Sequence, residues 1–346
     1  MSFDLTKHWY QRQLSWVSLL LLPFSWLFHL IVMARRGMYR SGILKTHSVP
    51  VPVIIVGNIA VGGTGKTPFV IWLVDYLKQQ GYRPGIISRG AGGARQTNPY
   101  LVKTNDHPCK VGDEALLLAN HTNCPLVIGV DRVAAARFLL AQSDCNIIIS
   151  DDGLQHYALR RDVELVIVDG VRRFGNQQLL PAGPLRESIK RLEGVDAVIV
   201  NGEQMQLVPG DLVVVPREGA GPRKAGPSQD LLDPAPSRGT TNTAKPLADF
   251  KGLSVHAVAG IGNPERFFSL LEHAGLIVIR HAFPDHYLYQ AADLNFADNL
   301  PVLMTEKDEV KCREFATDVY WYLPVHASVD AIVADKILAK IKSVVA

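Results

Sequence analysis

Residues Val51–Gly81 read VPVIIVGNIAVGGTGKTPFVIWLVDYLKQQG, and the period of this stretch changes twice. Val51–Val56 is a short, apolar, β-branched run, the pattern of a strand buried on both faces. Beyond the loop, Phe69, Val70, Leu73, Val74 and Leu77 recur at helical spacing, and Gly81 is placed to end that helix. Between the two lies Ala60-Val61-Gly62-Gly63-Thr64-Gly65-Lys66-Thr67. Strand, glycine-rich turn, Lys-Thr and helix, in that order, is the context of a phosphate-binding loop. Glycines let backbone N–H groups turn inward around phosphate oxygens, and the helix N-terminus adds its positive end. Lys66 suits the β and γ phosphates, and the Thr67 hydroxyl suits Mg²⁺. Ala60 stands where the pattern has its first glycine. A chance glycine turn is the rival reading, and the flanking strand and helix weigh against it.

Working outward, Asn146–Ser150 (NIIIS) is another buried strand, ending in Asp151-Asp152-Gly153-Leu154-Gln155-His156. Carboxylates at the end of a strand beside a phosphate loop are where such proteins hold Mg²⁺. Adjacent residues of a strand point to opposite sides, so one of Asp151 and Asp152 is expected to face the metal and the other to anchor a loop or substrate. Asp113 and Glu114 open a helical run (EALLLAN), with Asp113 either an N-cap or a catalytic base. Phe283-Pro284-Asp285-His286-Tyr287 carries an acid–imidazole pair, structural or fit to deprotonate a hydroxyl. Arg89 in Ser88-Arg89-Gly90 and Arg186 in Pro184-Leu185-Arg186-Glu187 follow a strand and a loop; arginines there suit phosphates and acidic headgroups, or are plain structural residues.

Strand-like runs recur at Val53–Val56, Gly85–Ser88, Leu126–Gly129, Ile147–Ser150, Leu165–Asp169 and Ala197–Asn201, with helical patterns between several of them. That alternation predicts a P-loop NTPase-type α/β fold, a doubly wound and mostly parallel sheet. A Pro-, Gly-, Ser- and Thr-rich stretch, Arg217–Asp249, reads as a linker. A second, smaller α/β Rossmann-like unit starts at Leu253, with Val319–Leu323 as its last strand and Ala331–Val345 as its last helix. The expected division is 1–45, 46–216, 217–249 and 250–346. The turn GIGNPER is either a nucleotide contact or an ordinary βα turn. The run Thr305-Glu306-Lys307-Asp308 lacks the asparagine–lysine–x–aspartate pattern that reads guanine, which favours ATP.

Leu14–Ala34 (LSWVSLLLLPFSWLFHLIVMA) is the most apolar stretch, and Arg35, Arg36, Arg40 and Lys45 follow it. Its length is near the roughly 20 residues that span a bilayer, but Pro23 sits mid-segment, where it kinks a helix. Ser15, Ser18, Ser25 and His29 share one arc at helical spacing. A membrane-interfacial helix, a true span and a core helix all stay open; the polar arc suits a helix lying in the interface or leaning on its own catalytic unit. A net charge of +3 over 346 residues gives no case for nucleic acid. The 4 cysteines lack zinc or redox spacing and read as idle thiols of a reducing compartment. Two other classes compete with a lipid kinase: a membrane-bound regulatory ATPase, disfavoured because Val61 replaces the lysine such loops carry before their glycine pair, and a soluble small-molecule kinase.

Taken in order, VGNIAVGGTGKTP, SRG, VGDEA, SDDGLQH, LLPAGPLRE, GIGNPERF, FPDHY and TEKD resemble one family over nearly the whole chain: tetraacyldisaccharide 4′-kinase, the lipid A 4′-kinase of Gram-negative bacteria. The resemblance implies transfer of the γ-phosphate of ATP, with Mg²⁺, to the 4′-hydroxyl of a tetraacyldisaccharide 1-phosphate. It implies two Rossmann-like domains with an N-terminal membrane-associated helix, working at the cytoplasmic face of the bacterial inner membrane on a glycolipid, with no obligate protein partner. Carried over by motif, Ala60–Thr67 bind nucleotide, Lys66 is also catalytic, and Thr67, Asp151 and Asp152 are metal ligands. Asp113 looks like the base, paired with His286 and supported by Asp285. Arg89, Glu114, Gln155, His156, Arg186 and Glu187 look like substrate contacts. One departure is Ala91, where the family usually has a tyrosine after SRG.

Overall fold

The computed structural model describes residues 5–11, 13–94, 98–216 and 244–345. The chain forms two compact units, one of Met1–Val208 with His326–Ala346 and the other of Pro209–Val325. In chain order the first unit begins with helices α1 (Thr6–Trp9) and α2 (Trp16–Arg40), strand β1 (Val53–Gly57), α3 (Lys66–Gln79), β2 (Pro84–Ser88) and β3 (Tyr100–Leu101). It continues through α4 (Pro108–Val111), α5 (Asp113–Thr122), β4 (Leu126–Ile128), α6 (Arg132–Gln142), β5 (Ile147–Asp151), β6 (Val163–Asp169), β7 (Ala197–Asn201) and β8 (Met205–Pro209). The second unit holds β9 (Leu212–Val214), β10 (Ala244–Lys245), β11 (Ser254–Ala259), α7 (Pro264–His273), β12 (Ile277–Ala282), β13 (Val302–Thr305), α8 (Glu306–Glu309) and β14 (Tyr320–Leu323). The chain then returns to the first unit through β15 (Val325–Val329) and α9 (Ala331–Val345).

The first sheet has the order β15-β8-β7-β6-β1-β5-β2-β4-β3. Parallel pairing runs from β4 through β8, and β3 pairs antiparallel with β4. β1 is central, between β5 and β6, while the chain leaves it through α3 for β2 on the far side of β5. In an open α/β sheet ligands bind outside the carboxyl ends of strands where the order reverses. Register brings the acidic pair to that point, because Val56 of β1 lies level with Asp151 of β5. Ile54, Ile55 and Val56 are fully buried, as are Phe69, Val70, Leu73 and Leu77 on the inner stripe of α3. Gly81 follows that helix at φ +83°, the left-handed conformation that ends it.

The second unit has its own six-stranded sheet, β10-β9-β14-β13-β11-β12. β12, β11, β13 and β14 are parallel, and β9 and β10 add antiparallel edges. Phe267, Phe268 and Leu271 of α7 pack on one face with Leu303 and Trp321.

Three expectations change. The second unit starts at Pro209, ahead of the expected linker, and ends at Val325, so the last helix belongs to the first unit. The physical reason is β15, which joins the first sheet beside β8. Most of the expected linker, 217–243, lies outside the described residues; Ala244–Lys245 is a strand and Leu247–Phe250 a short 3-10 helix. The N-terminal helix starts at Trp16, capped by the Ser15 hydroxyl accepting from the Ser18 N–H, and continues through Pro23 to Arg40.

That helix turns its polar arc inward. Ser18 and Ser25 are buried, whereas Trp16, Leu20, Phe24, Trp26, Leu27, Leu30 and Ile31 are exposed. The Ser25 hydroxyl donates to the Leu179 carbonyl (2.7 Å) and accepts from the Ala182 N–H (3.0 Å). Asn176 donates to the Ser18 hydroxyl at 3.3 Å. The helix is long and apolar enough to cross a membrane by length and composition, yet only 17 % of its most apolar window is buried. A core-helix reading does not fit that exposure.

Candidate active site

The phosphate loop joins β1 to α3. Gly62 and Gly65 sit at φ +111° and +93°, a region that L side chains rarely adopt. A Cβ at Gly65 would also lie 2.8 Å from the Asn201 side chain, which donates to the Thr64 carbonyl at 3.2 Å. Ala60 is absent from the left-handed residues, so the position needs no glycine. It sits in a short antiparallel bridge with Leu185. The Val61 N–H donates to the Pro184 carbonyl (2.8 Å) and the Arg186 N–H to the Ile59 carbonyl (2.7 Å). The front of the loop is thus one strand of a ribbon whose other strand is PLRE.

Lys66 is the first residue of α3, and its ammonium lies 3.5 Å from the Asp152 carboxylate. Arg186 donates to both oxygens of the same carboxylate, at 3.2 and 3.0 Å. Burial raises the pKa of Asp152, but the cations of Lys66 and Arg186 outweigh it and hold the carboxyl down at about 2. Asp152 has φ +49°, a left-handed turn that swings it off the line of β5. Asp151 stays in the strand, buried, and accepts from the Ser88 hydroxyl at 3.2 Å. Burial, followed by the nearby negative charge of Glu114, pushes Asp151 up to about 7. Its Oδ1 is buried with no hydrogen-bond partner among the described residues. The two carboxylates therefore face different groups.

Asp113 is buried and is the first residue of α5; the cap position is Gly112, so Asp113 is not the N-cap. Its Oδ1 accepts from the Glu114 N–H at 2.9 Å. Gly112 is required at φ +91°, where a Cβ would stand 2.2 Å from the Ala91 carbonyl. The SRGAGG and VGDEA turns thus meet backbone to backbone and fix where Asp113 begins. Arg89 is exposed beside them, and nothing in the structure explains the loss of an aromatic at Ala91.

Glu187 is buried and its carboxylate is already engaged. It accepts from Gln155 (2.8 Å) and from the Tyr157 hydroxyl (2.6 Å), and lies 3.5 Å from Arg191. The expected substrate contacts Gln155 and Glu187 therefore bond to each other, an arrangement that fixes the loop. His156 is half-buried; burial, then the positive fields of Arg132, Arg35, Arg89 and Arg161, lower its pKa to about 4, leaving it neutral at pH 7.

Asp285 and His286 lie in the second unit, in the turn after β12. Asp285 is 3.0 Å from Lys307 and 3.8 Å from the His286 ring. Asp308 is fully buried there and accepts from the Gly260 N–H (3.0 Å), Tyr289 (3.1 Å), Thr305 (2.6 Å) and Lys311 (2.8 Å). TEKD thus anchors the GIGN and FPDHY turns.

Two site residues escape sequence reading. Arg132 is buried beneath the acidic pair and donates to the Gly129 carbonyl, with Nε and Nη2 unpartnered among the described residues. Burial lowers its pKa to about 10, against the pull of Asp151 and Asp152. The Asn201 side chain is the other. Each is a single polar residue at the end of a strand or the start of a helix, and neither belongs to a glycine-rich loop or an acidic pair.

Comparison with known proteins agrees with this geometry. Residues 17–342 match the family model described as tetraacyldisaccharide-1-P 4′-kinase. The tetraacyldisaccharide 4′-kinase of Nitrosococcus oceani is 51 % identical over 334 residues, 96 % of this chain and 93 % of that protein. The one of Methylobacillus flagellatus is 50 % identical over 345 residues, 97 % of this chain and 95 % of its own. A crystal structure of the “apo” form of LpxK from Aquifex aeolicus in complex with ATP is similar with a TM-score of 0.73 at 27 % identity, covering 94 % of this chain and 99 % of that one. With half its residues shared across nearly its full length, and with the phosphate loop and acidic pair in place, the chain belongs to the tetraacyldisaccharide-1-P 4′-kinase family.

Proposed function

We propose that this chain transfers the γ-phosphate of ATP to the 4′-hydroxyl of a tetraacyldisaccharide 1-phosphate in lipid A biosynthesis. The observation that carries this is the phosphate loop, with Lys66 and Arg186 converging on Asp152 beside the buried Asp151, in a chain of that family. The backbone of Gly62–Gly65 and the start of α3 hold the phosphates, and Lys66 neutralises charge on the transferred group. Asp113 takes the proton of the attacking hydroxyl as the new O–P bond forms. The bond from the γ phosphorus to the β–γ bridging oxygen breaks, and ADP leaves. Asp285 and His286 are carried as groups that assist proton removal, Arg89, Glu114, Gln155, His156 and Arg186 as headgroup contacts, and Glu187 as the anchor of that loop.

The residues fit Mg²⁺. The Asp151 Oδ1 is buried and unpartnered, and no group of three or more His, Cys, Asp or Glu side chains among the described residues forms a closed metal site. That donor set suits an ion held by one or two carboxylates, the Thr67 hydroxyl and substrate oxygens. When bound, such an ion supplies charge neutralisation across the β and γ phosphates.

The reading places α2 in the membrane interface. Its seam is bonded to its own unit at Ser18 and Ser25, and near its end Tyr39 packs on Tyr157 with ring centroids 5.9 Å apart. A helix held along its length lies on that unit and offers its apolar face to lipid. Arg35, Arg36 and Arg40 at its carboxyl end suit the anionic cytoplasmic leaflet.

The test is transfer of labelled γ-phosphate to tetraacyldisaccharide 1-phosphate in detergent micelles, with and without Mg²⁺. The expected product is a Mg²⁺-dependent bisphosphorylated lipid, lost in Asp113→Ala while ATP binding persists. Labelled free phosphate with no labelled lipid refutes the kinase reading in favour of an ATPase.

A further inference from the structure

Arg172 follows β6, the strand beside β1. Its backbone is pinned. The Asp169 carboxylate accepts from the N–H groups of Val171 and Arg172, both at 2.9 Å, and the Gly170 N–H donates to the Asn201 carbonyl at 2.9 Å. Gly170 is obligatory in this turn, since a Cβ there would stand 2.2 Å from that carbonyl. The neighbouring Arg173 pairs with Glu203. The two adjacent arginines therefore have different environments.

The Arg172 guanidinium lies over the Tyr10 ring, 4.9 Å from its centroid. Tyr10 is itself fixed to the phosphate loop, its hydroxyl donating to the Val61 carbonyl at 3.1 Å. The preceding Trp9 donates from its ring to the Pro181 carbonyl (3.0 Å), and its own carbonyl accepts from the Asn176 N–H (2.7 Å). This places Nη1 of Arg172 3.7 Å from where a Cβ of Gly62 would stand, with the Tyr10 hydroxyl oxygen at 3.9 Å. Backbone N–H groups hold a phosphate oxygen at about 2.9 Å. An anion seated against the Gly62–Thr64 backbone is therefore within reach of that guanidinium. Lys66 and Arg186 share the carboxylate of Asp152, so much of their charge is already offset. An arginine supplied in cis over a phosphate loop stabilises the charge that spreads over the transferred group.

We propose that Arg172, held over Gly62 by Tyr10, is a further ligand of the nucleotide phosphates and that Tyr10 is its positioning residue. The proposal rests on the kinase reading and adds a cation to it. It also gives the N-terminal segment a second role, since the chain that leads into the lipid-facing helix first braces the phosphate loop.

The test compares Arg172→Ala, Arg172→Lys, Tyr10→Phe and the control Arg173→Ala in the full chain. The measurements are steady-state transfer with ATP and with lipid varied in turn, direct ATP titration by calorimetry, and thermal melting. Arg172→Ala is expected to lower kcat/KM for ATP by about 10- to 100-fold, the range for a hydrogen bond to a charged group. The KM for lipid and the melting temperature should stay near those of the wild type. Arg172→Lys should recover part of the loss, Tyr10→Phe should weaken ATP binding by a smaller factor, and Arg173→Ala should match wild type. Wild-type ATP affinity and kcat/KM in Arg172→Ala overturn the proposal. So does an equal loss for ATP and lipid that Arg172→Lys fails to rescue, because that marks a purely structural arginine. An unmodified chain that binds ATP but leaves the lipid unlabelled fails the kinase reading instead, and the calorimetric comparison still decides the role of Arg172.

Discussion

Replacing Leu20 and Leu27 of α2 by serine should release this protein from lipid vesicles without harming its chemistry in micelles. The two residues are seven apart, hence on one face of the helix, and are 68 % and 56 % exposed. Burying a leucine side chain fully is worth about 2 kcal/mol, so lipid contact with those exposed fractions is worth about 1.4 and 1.1 kcal/mol, or about 2.5 kcal/mol together. That corresponds to a fall of roughly 70-fold in the membrane partition coefficient. Neither side chain lies on the seam that Ser18 and Ser25 bond to the unit, so folding and ATP binding should be kept. The assay is co-sedimentation with vesicles of phosphatidylethanolamine and phosphatidylglycerol over a range of lipid concentrations, with kcat measured in parallel in detergent. Ile332→Ser is the control, since Ile332 is 79 % exposed on α9, away from this helix in sequence and element. A partition coefficient within about threefold of wild type for the double variant, or an equal fall for Ile332→Ser, refutes the placement of this face in lipid.

Ser25→Ala removes a buried hydroxyl that both donates and accepts. The Leu179 carbonyl keeps the Gly183 N–H at 3.0 Å but the Ala182 N–H loses this acceptor, so a stability loss of about 2 kcal/mol is expected in urea unfolding. A loss under about 0.5 kcal/mol shows that the seam does not hold. Asp152 has a folded pKa of about 2, below its ordinary value, so its stabilising effect is present above about pH 4 and is lost as pH falls towards 2. Allowing for its partial exposure, the wild type should exceed Asp152→Asn by about 1 to 2 kcal/mol at pH 5, and the gap should shrink to about a third of that by pH 2.5; a gap independent of pH contradicts this. Asp308→Ala strips four partners, including the buried Lys311, and should cost about 3–5 kcal/mol in the second unit. A shift in the urea midpoint worth less than about 1 kcal/mol would show that TEKD is not its anchor.

What the sequence discloses depends on burial. The six expected strands of the first sheet all appear, because a strand covered on both faces must be an unbroken apolar run, as Val53–Val56 and Ile147–Ser150 are. The edges are illegible for the same reason. β8 has only Met205 fully covered, and β15 alternates between half-buried and exposed residues, so neither carries a strong apolar signal. Missing β15 displaced the domain boundary, since that strand returns α9 to the first unit. At the site, glycines and paired acids are what mark the phosphate loop and Asp151-Asp152 in the sequence, and the turn before Asp113 is constrained at Gly112, where a Cβ would stand 2.2 Å from the Ala91 carbonyl. Arg132 and Asn201 were not found, because a single polar residue in a helix or strand has the same local pattern whether it faces water or a buried site. Glu187 was read as a headgroup contact, and no sequence pattern shows that its carboxylate is occupied by Gln155 and Tyr157.

Two apparent faults in the sequence, an alanine for a loop glycine and serines in an exposed apolar helix, turn out to belong to the same joint. Ala60 is tolerated because the front of the phosphate loop is extended and paired with Leu185. That pairing sets the register between Lys66 and Arg186, and so brings both cations to Asp152. The partner ribbon needs support from behind, and the support comes from the N-terminal segment. Ser25 bonds Leu179 and Ala182, Trp9 bonds Pro181, and Tyr10 bonds the phosphate loop itself. Polar groups on an apolar helix cost free energy in lipid unless they are satisfied by protein. Here they are satisfied by the loop that the active site requires to be rigid. The same serines are therefore the ones that tie the exposed apolar helix to the loop beside the phosphate loop.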